Sequence, residues 1–398
     1  MKHLRRGNKD LMKELNRSLV LHSIRTHEQI SRTDISHITH LGMSTVSSIV
    51  DELLRDGFIY ETGEGSSSGG RKPILLKFNG NSGYIIGVKV EPLSLRLCLS
   101  NLDAKILERR DRELDESCTE EDLLQILSTQ IADLLNATNA QPLQGIGITA
   151  PGLIDKRSLR IAYSPILKWK NIDFAPIQTQ FQVPVFLEND ANAFALAEKW
   201  IGAGDQINSF IGVTIGKGIG AGIILNNELF VGENGGAGEL GHTVIQRECE
   251  LCYCGQRGCL EMYASDQFVL KEAKRILSFG SSSALQSFEN LTVNDISTAA
   301  AAGDYASQQI LINQGTNIGI GLRNLVNLLN PKAIILGGEG FRDDPYLLSG
   351  IKQELSMNFF HRMDKLLILT SQLKNDAWLI GACSLVVNDL FKPPIYRT

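Results

Sequence analysis

Four residues near the middle of the chain have the types and spacing of a metal centre. His242 is followed ten residues later by Cys252, then by Cys254 and Cys259, a Cys-x-Cys-x4-Cys run. One imidazole and three thiolates make a closed tetrahedral donor set for Zn2+ in a structural role, with no position left open for hydrolysis. Gly255 and Gly258 let the chain curl so that closely spaced sulfurs face one ion. Cys249 competes as a ligand and ranks below Cys252, because the tight glycine-containing loop begins at Cys252.

Hydroxyl-binding groups lie close by in the sequence: Asn189 and Asp190, then Glu239 just before His242, and Glu261 just after Cys259. Carboxylates accept from hydroxyls and an amide both donates and accepts, so the set suits a neutral polyhydroxylated ligand. Each acid taken singly is as ordinary as a solvated surface charge. Their joint placement near strand ends of an α/β pattern is what points to a ligand crevice. A zinc ion held by His242 and Cys259 would preorganise Glu239 and Glu261 alongside it.

A third group sits in the first 80 residues. Ser44, Thr45, Ser47 and Ser48 fall opposite an apolar stripe at the start of a helix, where a recognition helix meets base edges. Gly69-Gly70-Arg71-Lys72-Pro73 reads as the tip of a β-wing, with Arg71 and Lys72 suited to phosphates or the minor groove. Residues 1–80 carry twelve Lys and Arg against nine Asp and Glu, a balance of +3, which leaves −8 for the remainder. The basic segment therefore suits an anionic partner, and the alternative is a trihelical interaction module.

The elements that must position these groups follow from periodicity. Leu11, Leu15 and Leu19 mark a first helix running to about Arg25, and Ser31 to Asp34 forms a capping box for a short helix with Ile35 and Ile38 inward. Gly42 is expected to supply a positive φ at the turn. Ser44 then opens a helix with Val46, Ile49, Val50, Leu53 and Leu54 on one face. Strands are expected over 58–62 and 74–78. From Tyr84 the texture becomes α/β: strands over 84–90, 96–99, 144–149, 183–187, 210–215, 221–225 and 333–336, and helices over 123–137, 305–329 and about 380–390. The 278–283 stretch reads as a surface loop. With 43% hydrophobic and 21% charged residues, a net charge of −5 and no long apolar run, the chain fits a soluble cytoplasmic protein with a reduced cysteine cluster.

Five stretches resemble the ROK family (repressors, open reading frames and kinases): Glu188–Asn192 (ENDAN), Val213–Gly222 (VTIGKGIGAG), Gly235–His242 (GGAGELGH), Cys252–Glu261 (CYCGQRGCLE) and Asn330–Gly338 (NPKAIILGG). The resemblance implies a two-lobed, actin-like (ribonuclease-H-like) α/β fold over 81–398, preceded by a winged helix-turn-helix over 1–80 that is similar to the family's regulators and absent from its kinases. The first 80 residues most resemble the xylose-repressor type. The same resemblance implies sugar contacts from Asn189, Asp190, Glu239, His242 and Glu261, with His242 giving one ring nitrogen to zinc and the other to the ligand. In the family's kinases the residue matching Asp190 is the general base.

Departures from the kinase pattern set the expected function. Kinases carry Asp-x-Gly-Gly-Thr on the first strand, where this chain has Lys89-Val90-Glu91-Pro92-Leu93. Pro92 lacks an N–H and Glu91 repels an anion, so the phosphate cradle is expected to be lost. Lys217 stands where the kinases usually have Thr, and Ile166 where they tend to have Asn. The expectation is a non-enzymatic, sugar-responsive repressor that binds operator DNA as a homodimer or tetramer and releases it on binding an unphosphorylated sugar. The rivals are a ROK kinase with a fused DNA-binding domain and a protein-binding scaffold.

Overall fold

The computed structural model describes residues 8–65, 72–247, 250–280, 282–357 and 365–391. Helix α1 (Lys9–Thr26) is capped by Asn8, whose side chain accepts from the Leu11 N–H at 2.7 Å. It buries Leu11, Val20, Leu21 and Ile24, whereas Leu19 is 39% exposed. The expected Leu11–Leu15–Leu19 row is thus replaced by a stripe rotated toward Val20 and Ile24, because the head's core lies under the second half of the helix. Strand β1 (Ile30–Ser31) leads into α2 (Arg32–Thr39). The capping box is present: the Asp34 N–H donates to Ser31 Oγ at 3.2 Å and the Ser31 N–H to Asp34 Oδ2 at 3.3 Å. Ile35 is fully buried, but Ile38 is 50% exposed, since only one side of this two-turn helix meets α1 and the next helix.

The turn after α2 corrects another expectation. His40 takes the left-handed conformation (φ 56°), while Gly42 has φ −61° and caps α3 (Met43–Arg55), which begins one residue before Ser44. The reversal falls at the end of α2, where the helical ladder stops. Helix α3 buries Val46, Ile49, Val50 and Leu53. Strands β2 (Ile59–Glu64) and β3 (Ile74–Phe78) form an antiparallel hairpin, with β1 on the other edge of β3. The wing tip through Arg71 lies outside the described residues.

The body is built from two sheets of the same plan. In the first, β4 (Tyr84–Glu91), β5 (Ser94–Asn101) and β6 (Ile106–Glu113) make an antiparallel meander. Helix α4 (Glu120–Thr138) then crosses to β7 (Leu143–Ala150), parallel to β4. A small sheet of β8 (Leu153–Asp155), β9 (Arg160–Ser164) and β10 (Trp169–Asp173) and helix α5 (Ala175–Phe181) precede β11 (Val185–Asn189), which runs directly into α6 (Asp190–Ile201). The second sheet repeats the meander as β12 (Phe210–Ile215), β13 (Ile219–Leu225) and β14 (Glu228–Phe230). Helices α7 (Asp266–Ser278), α8 (Val293–Ala301) and α9 (Tyr305–Leu329) lead to β15 (Ala333–Gly337). Helix α10 (Pro345–Ser356) joins β15 to β16 (Leu367–Thr370). The strand orders β11-β7-β4-β5-β6 and β16-β15-β12-β13-β14 correspond position by position, a duplicated lobe of the actin-like kind.

Helix α11 (Ala377–Phe391) returns to the first sheet and packs on β4, β7 and α6, while α6 packs on β12 and β13. The two helices are the layer between the lobes. A single apolar cluster joins Val20, Ile24, Ile35, Val46, Leu76 and Phe78 of the head to Ile85, Cys98, Leu102, Leu379, Cys383 and Val387 of the body. Phe391 caps this joint: its ring meets Phe78 edge-on at 5.7 Å, its carbonyl accepts from Ser18 Oγ, and Arg25 lies over it at 4.9 Å. Among the described residues no helix is long and apolar enough to cross a membrane.

Gly147 of β7 is the closest point of that packing, since a Cβ there would lie 1.9 Å from the Ala382 carbonyl oxygen of α11. Gly147→Ala should therefore displace backbone and lower stability by about 1–3 kcal/mol, read from the urea midpoint.

Candidate functional site: a cleft between two lobes

A cleft of about 530 Å³ opens where the C-terminal ends of both sheets face each other. Asn189 and Asp190 reach it from the β11–α6 junction. The Asn189 side chain caps α6, accepting from the N–H groups of Ala191 (2.9 Å) and Asn192 (3.3 Å), and its amide donates to the Gly152 carbonyl at 3.1 Å. Buried Glu188 secures the junction, accepting from the Asn189 N–H at 3.0 Å and from Asn192 Nδ2 at 3.1 Å while paired with Lys156. Much of Asn189 is thus spent on structure, and Asp190 is the freer group. Burial pushes the Asp190 carboxyl up, while the Lys89 ammonium pulls it down.

From the second lobe, Glu239 precedes the single 3-10 turn Leu240–His242, and Glu261 lies within the turn Leu260–Tyr263 that follows Cys259. Glu261 is buried, and its Oε2 accepts from the Ile219 N–H at 2.9 Å, which ties the zinc-loop segment to β13. All five residues expected to contact a sugar line the one cleft. Tyr163, Ile166, Tyr253 and Trp378 line it too; of these, only Ile166 was singled out from sequence.

His242, Cys252, Cys254 and Cys259 come together with their donor atoms within 4.8 Å of one another. Cys252 Sγ lies 3.6 Å from His242 Nδ1, and Cys254 Sγ lies 3.6 Å from Cys259 Sγ. A tetrahedron drawn with Zn–S of about 2.3 Å and Zn–N of about 2.0 Å has edges of roughly 3.5–3.8 Å. Those two separations match such edges, and one imidazole with three thiols has the donor chemistry of that ion. Nδ1 faces the sulfurs, and Nε2 is directed to the Tyr253 hydroxyl at 3.2 Å. Cys249 lies outside the described residues.

A cluster of paired charges also lines the cleft. Lys89, 5% exposed, is paired with Glu91 at 2.9 Å and with Glu339 from the opposite lobe, and its ammonium sits 3.6 Å from the Trp378 ring centroid. Arg96 Nε adds a bond to Glu91 at 3.0 Å, and Ser94 Oγ another at 2.7 Å. Burial alone would raise Glu91. The Glu339 hydrogen bond, the Lys89 charge and the Ser94 hydroxyl outweigh it and hold Glu91 at about 2. Glu339 moves up, through burial and the shared Glu91 contact.

On the head, Ser44 and Ser48 are exposed while Thr45 and Ser47 are half-buried. Ser44, Thr45 and Ser48 share a groove with Asn8, Lys9, Met12, Lys13 and Asn16 of α1, residues whose four-residue spacing placed them on one face without marking them as a surface. The Ser47 carbonyl accepts from Arg32, which also pairs with Asp51 at 2.9 Å. Lys72 is exposed and pairs with Glu64 at 3.6 Å, and Arg71 lies outside the described residues.

Residues 85–389 match the ROK family. The chain belongs to that family. It is 35% identical over 397 residues to a protein named xylose repressor from Caldicellulosiruptor bescii, covering 98% of this chain and 100% of that one. It is also similar to the crystal structure of a ROK family transcriptional regulator, a homologue of the E. coli MLC protein, at a TM-score of 0.87 and 28% identity over 97% of this chain and 98% of that one. A ROK family glucokinase from Streptomyces griseus, solved with glucose and AMPPNP, aligns at a TM-score of 0.67 and 28% identity, over 76% of this chain and 99% of the glucokinase.

Removing Lys89 takes the ammonium from two carboxylates, of which Glu91 keeps Arg96 and Ser94. Lys89→Met should cost stability near the low end of the roughly 3–5 kcal/mol typical of a broken buried pair, because the Glu339 side chain is 38% exposed. The share owed to Glu91 is complete above its ordinary 4.5 and drains as pH falls toward about 2. Urea titrations across that window should show a flatter acid limb in the variant.

Proposed function

We propose that this protein is a cytoplasmic, sugar-responsive transcriptional repressor in which residues 1–80 bind operator DNA and residues 81–398 bind an unphosphorylated sugar, xylose or a close relative. Ser44, Thr45, Ser47 and Ser48 meet the major groove, with Arg71 and Lys72 of the wing on the backbone or minor groove. Asn189, Asp190, Glu239, His242 and Glu261 take the sugar's hydroxyls. A zinc ion on His242, Cys252, Cys254 and Cys259 fixes the wall that carries the last three. The assembly is a homodimer, since two heads on one operator match a pseudo-palindromic site.

The observation that carries this reading is that one cleft is lined both by the hydroxyl-binding set and by the paired Lys89–Glu91–Glu339 cluster. A phosphoryl-transfer enzyme needs glycine-cradled phosphates and a metal there. A buried lysine between two glutamates supports the loss of that chemistry. The same cluster explains how ligand state reaches DNA. Helix α11 has Trp378 in the cleft against Lys89 and Phe391 under the head, so one rigid element joins sensor and output. A sugar that binds the released arrangement a hundredfold better shifts the equilibrium by about 2.7 kcal/mol.

The test begins with selection of bound sequences from random DNA by the purified protein. Gel shifts on the selected site should weaken at least tenfold with xylose, and binding unchanged by xylose, glucose and N-acetylglucosamine would sink the induction model. A coupled ADP-release assay with the same sugars should stay far below the roughly 1–100 s⁻¹ of kinases. Elemental analysis should find about one zinc per chain, lost in Cys254→Ser together with a lower melting temperature.

A further inference from the structure

The groove between α1 and α3 on the head is chemically one-sided. It measures about 660 Å³, and its lining holds lysines, amides and hydroxyls but no acid. Lys9, Lys13 and Asn16 stand on the α1 side, and Ser44, Thr45 and Ser48 on the α3 side. Asp10 and Glu14 of the same α1 helix stay out of it. Lys13 is paired with Glu52 at 2.8 Å. Among the described residues, no ion pair or side-chain hydrogen bond engages Lys9 or Asn16.

Two ion pairs fix how the helices lie. Lys13 meets Glu52 and, one turn on, Arg17 meets Asp56 at 2.7 Å, so α1 and α3 run parallel and in register. Continued one turn back, that register sets Lys9 level with Ser48, and both line the groove. The start of α1 therefore flanks the serines and threonine that the reading above sets against base edges. A major groove is about 12 Å wide, close to the diameter of one helix with its side chains, and phosphate strands wall it on both sides. Whatever stands beside the recognition helix meets one of those walls. On the α2 side, Arg32 is already paired with Asp51. On the α1 side, Lys9 has no such counter-charge among the described residues. The sequence leading into α1 adds Lys2, Arg5 and Arg6, with no acid in residues 1–9.

We infer that the α1–α3 groove seats one strand of the operator's backbone, with the Lys9 ammonium on a phosphate and the Asn16 amide donating to the same strand. Donors and positive charge along the lining complement phosphate oxygens. Such a contact positions the head on the duplex and reads no sequence. The inference rests on the DNA-binding reading above and extends it from α3 and the wing to α1.

Fluorescence anisotropy with the full-length protein tests it, on the selected site and on an unrelated duplex, across a range of KCl concentrations. Lys9→Gln should weaken both duplexes by one common factor, about eightfold at 0.1 M salt, and make the slope of log K against log salt shallower by about one. Asn16→Lys should do the reverse and steepen the slope by about one. Asp10→Asn adds the same charge to α1 outside the groove and should leave the slope nearly unchanged. Lys9 and Asp10 are exposed and Asn16 is half-buried, so all three variants should keep the melting temperature of the unaltered chain. Unchanged affinity and slope in Lys9→Gln overturn the inference, as does an Asn16→Lys slope no steeper than that of Asp10→Asn. A Lys9→Gln loss confined to the selected site overturns it too, since that places Lys9 on a base edge. If the unaltered protein binds neither duplex, the DNA-binding reading itself falls, and the role of this groove with it.

Discussion

A helix packed on a sheet and on a second helix can approach both closely only where side chains are missing, and that constraint sets the architecture of this chain. Helix α11 meets β7 at Gly147 and meets α6 at Gly381, where an added Cβ would lie 2.1 Å from the Ala193 carbonyl oxygen. Packing this tight leaves no slack for α11 to slide independently of either neighbour. Both lobes and the head are thereby referred to one rigid element, since the first sheet, α6 and the joint around Phe391 all contact it.

The ion cluster at the other end of α11 acts on the same element by charge. Lys89 is nearly inaccessible to water, so its ammonium depends on Glu91, Glu339 and the Trp378 face for what hydration would otherwise supply. Glu339 belongs to the second lobe and Lys89 to the first, so lobe separation stretches a low-dielectric ion pair, whereas closure preserves it. Asp190 feels the same lysine, which couples the hydroxyl-binding set electrostatically to the charge cluster.

What the sequence shows clearly is whatever local chemistry decides. The capping box at Ser31, the long helix over 305–329 and the β11–α6 junction at Asn189–Asp190 follow from caps and periodicity, and the structure places each within a residue or two of its expected bounds. That the five cleft residues share one cleft and that His242, Cys252, Cys254 and Cys259 come together was legible because motif spacing survives folding. What was hidden depends on neighbours far away in sequence. Strand β6 reads as ILERRDRE, a charge-rich edge whose strand character comes from pairing with β5. Leu19 and Ile38 look like core by spacing but face away from it, because burial depends on where the partner helix lies. Tyr253 escaped notice for a related reason: between two cysteines it reads as filler, and only the folded loop turns its ring toward His242.

The joint between head and body was equally invisible, and it changes how ligand signalling has to be understood. A head on a free linker responds to the body only through effective concentration, which is weak and nearly independent of small lobe rotations. Here the head shares a continuous apolar cluster with β4, β5 and α11, and Arg25 stacks on Trp200 of α6 as well as on Phe391. The head therefore touches both helices of the interlobe layer. A 15-residue helix is about 22 Å long, so a tilt of a few degrees at the cleft end moves the far end by about an ångström. Packed interfaces respond to such shifts by switching between discrete arrangements, so on the proposed reading a small neutral ligand in the cleft can alter the setting of the head on the far side of the molecule.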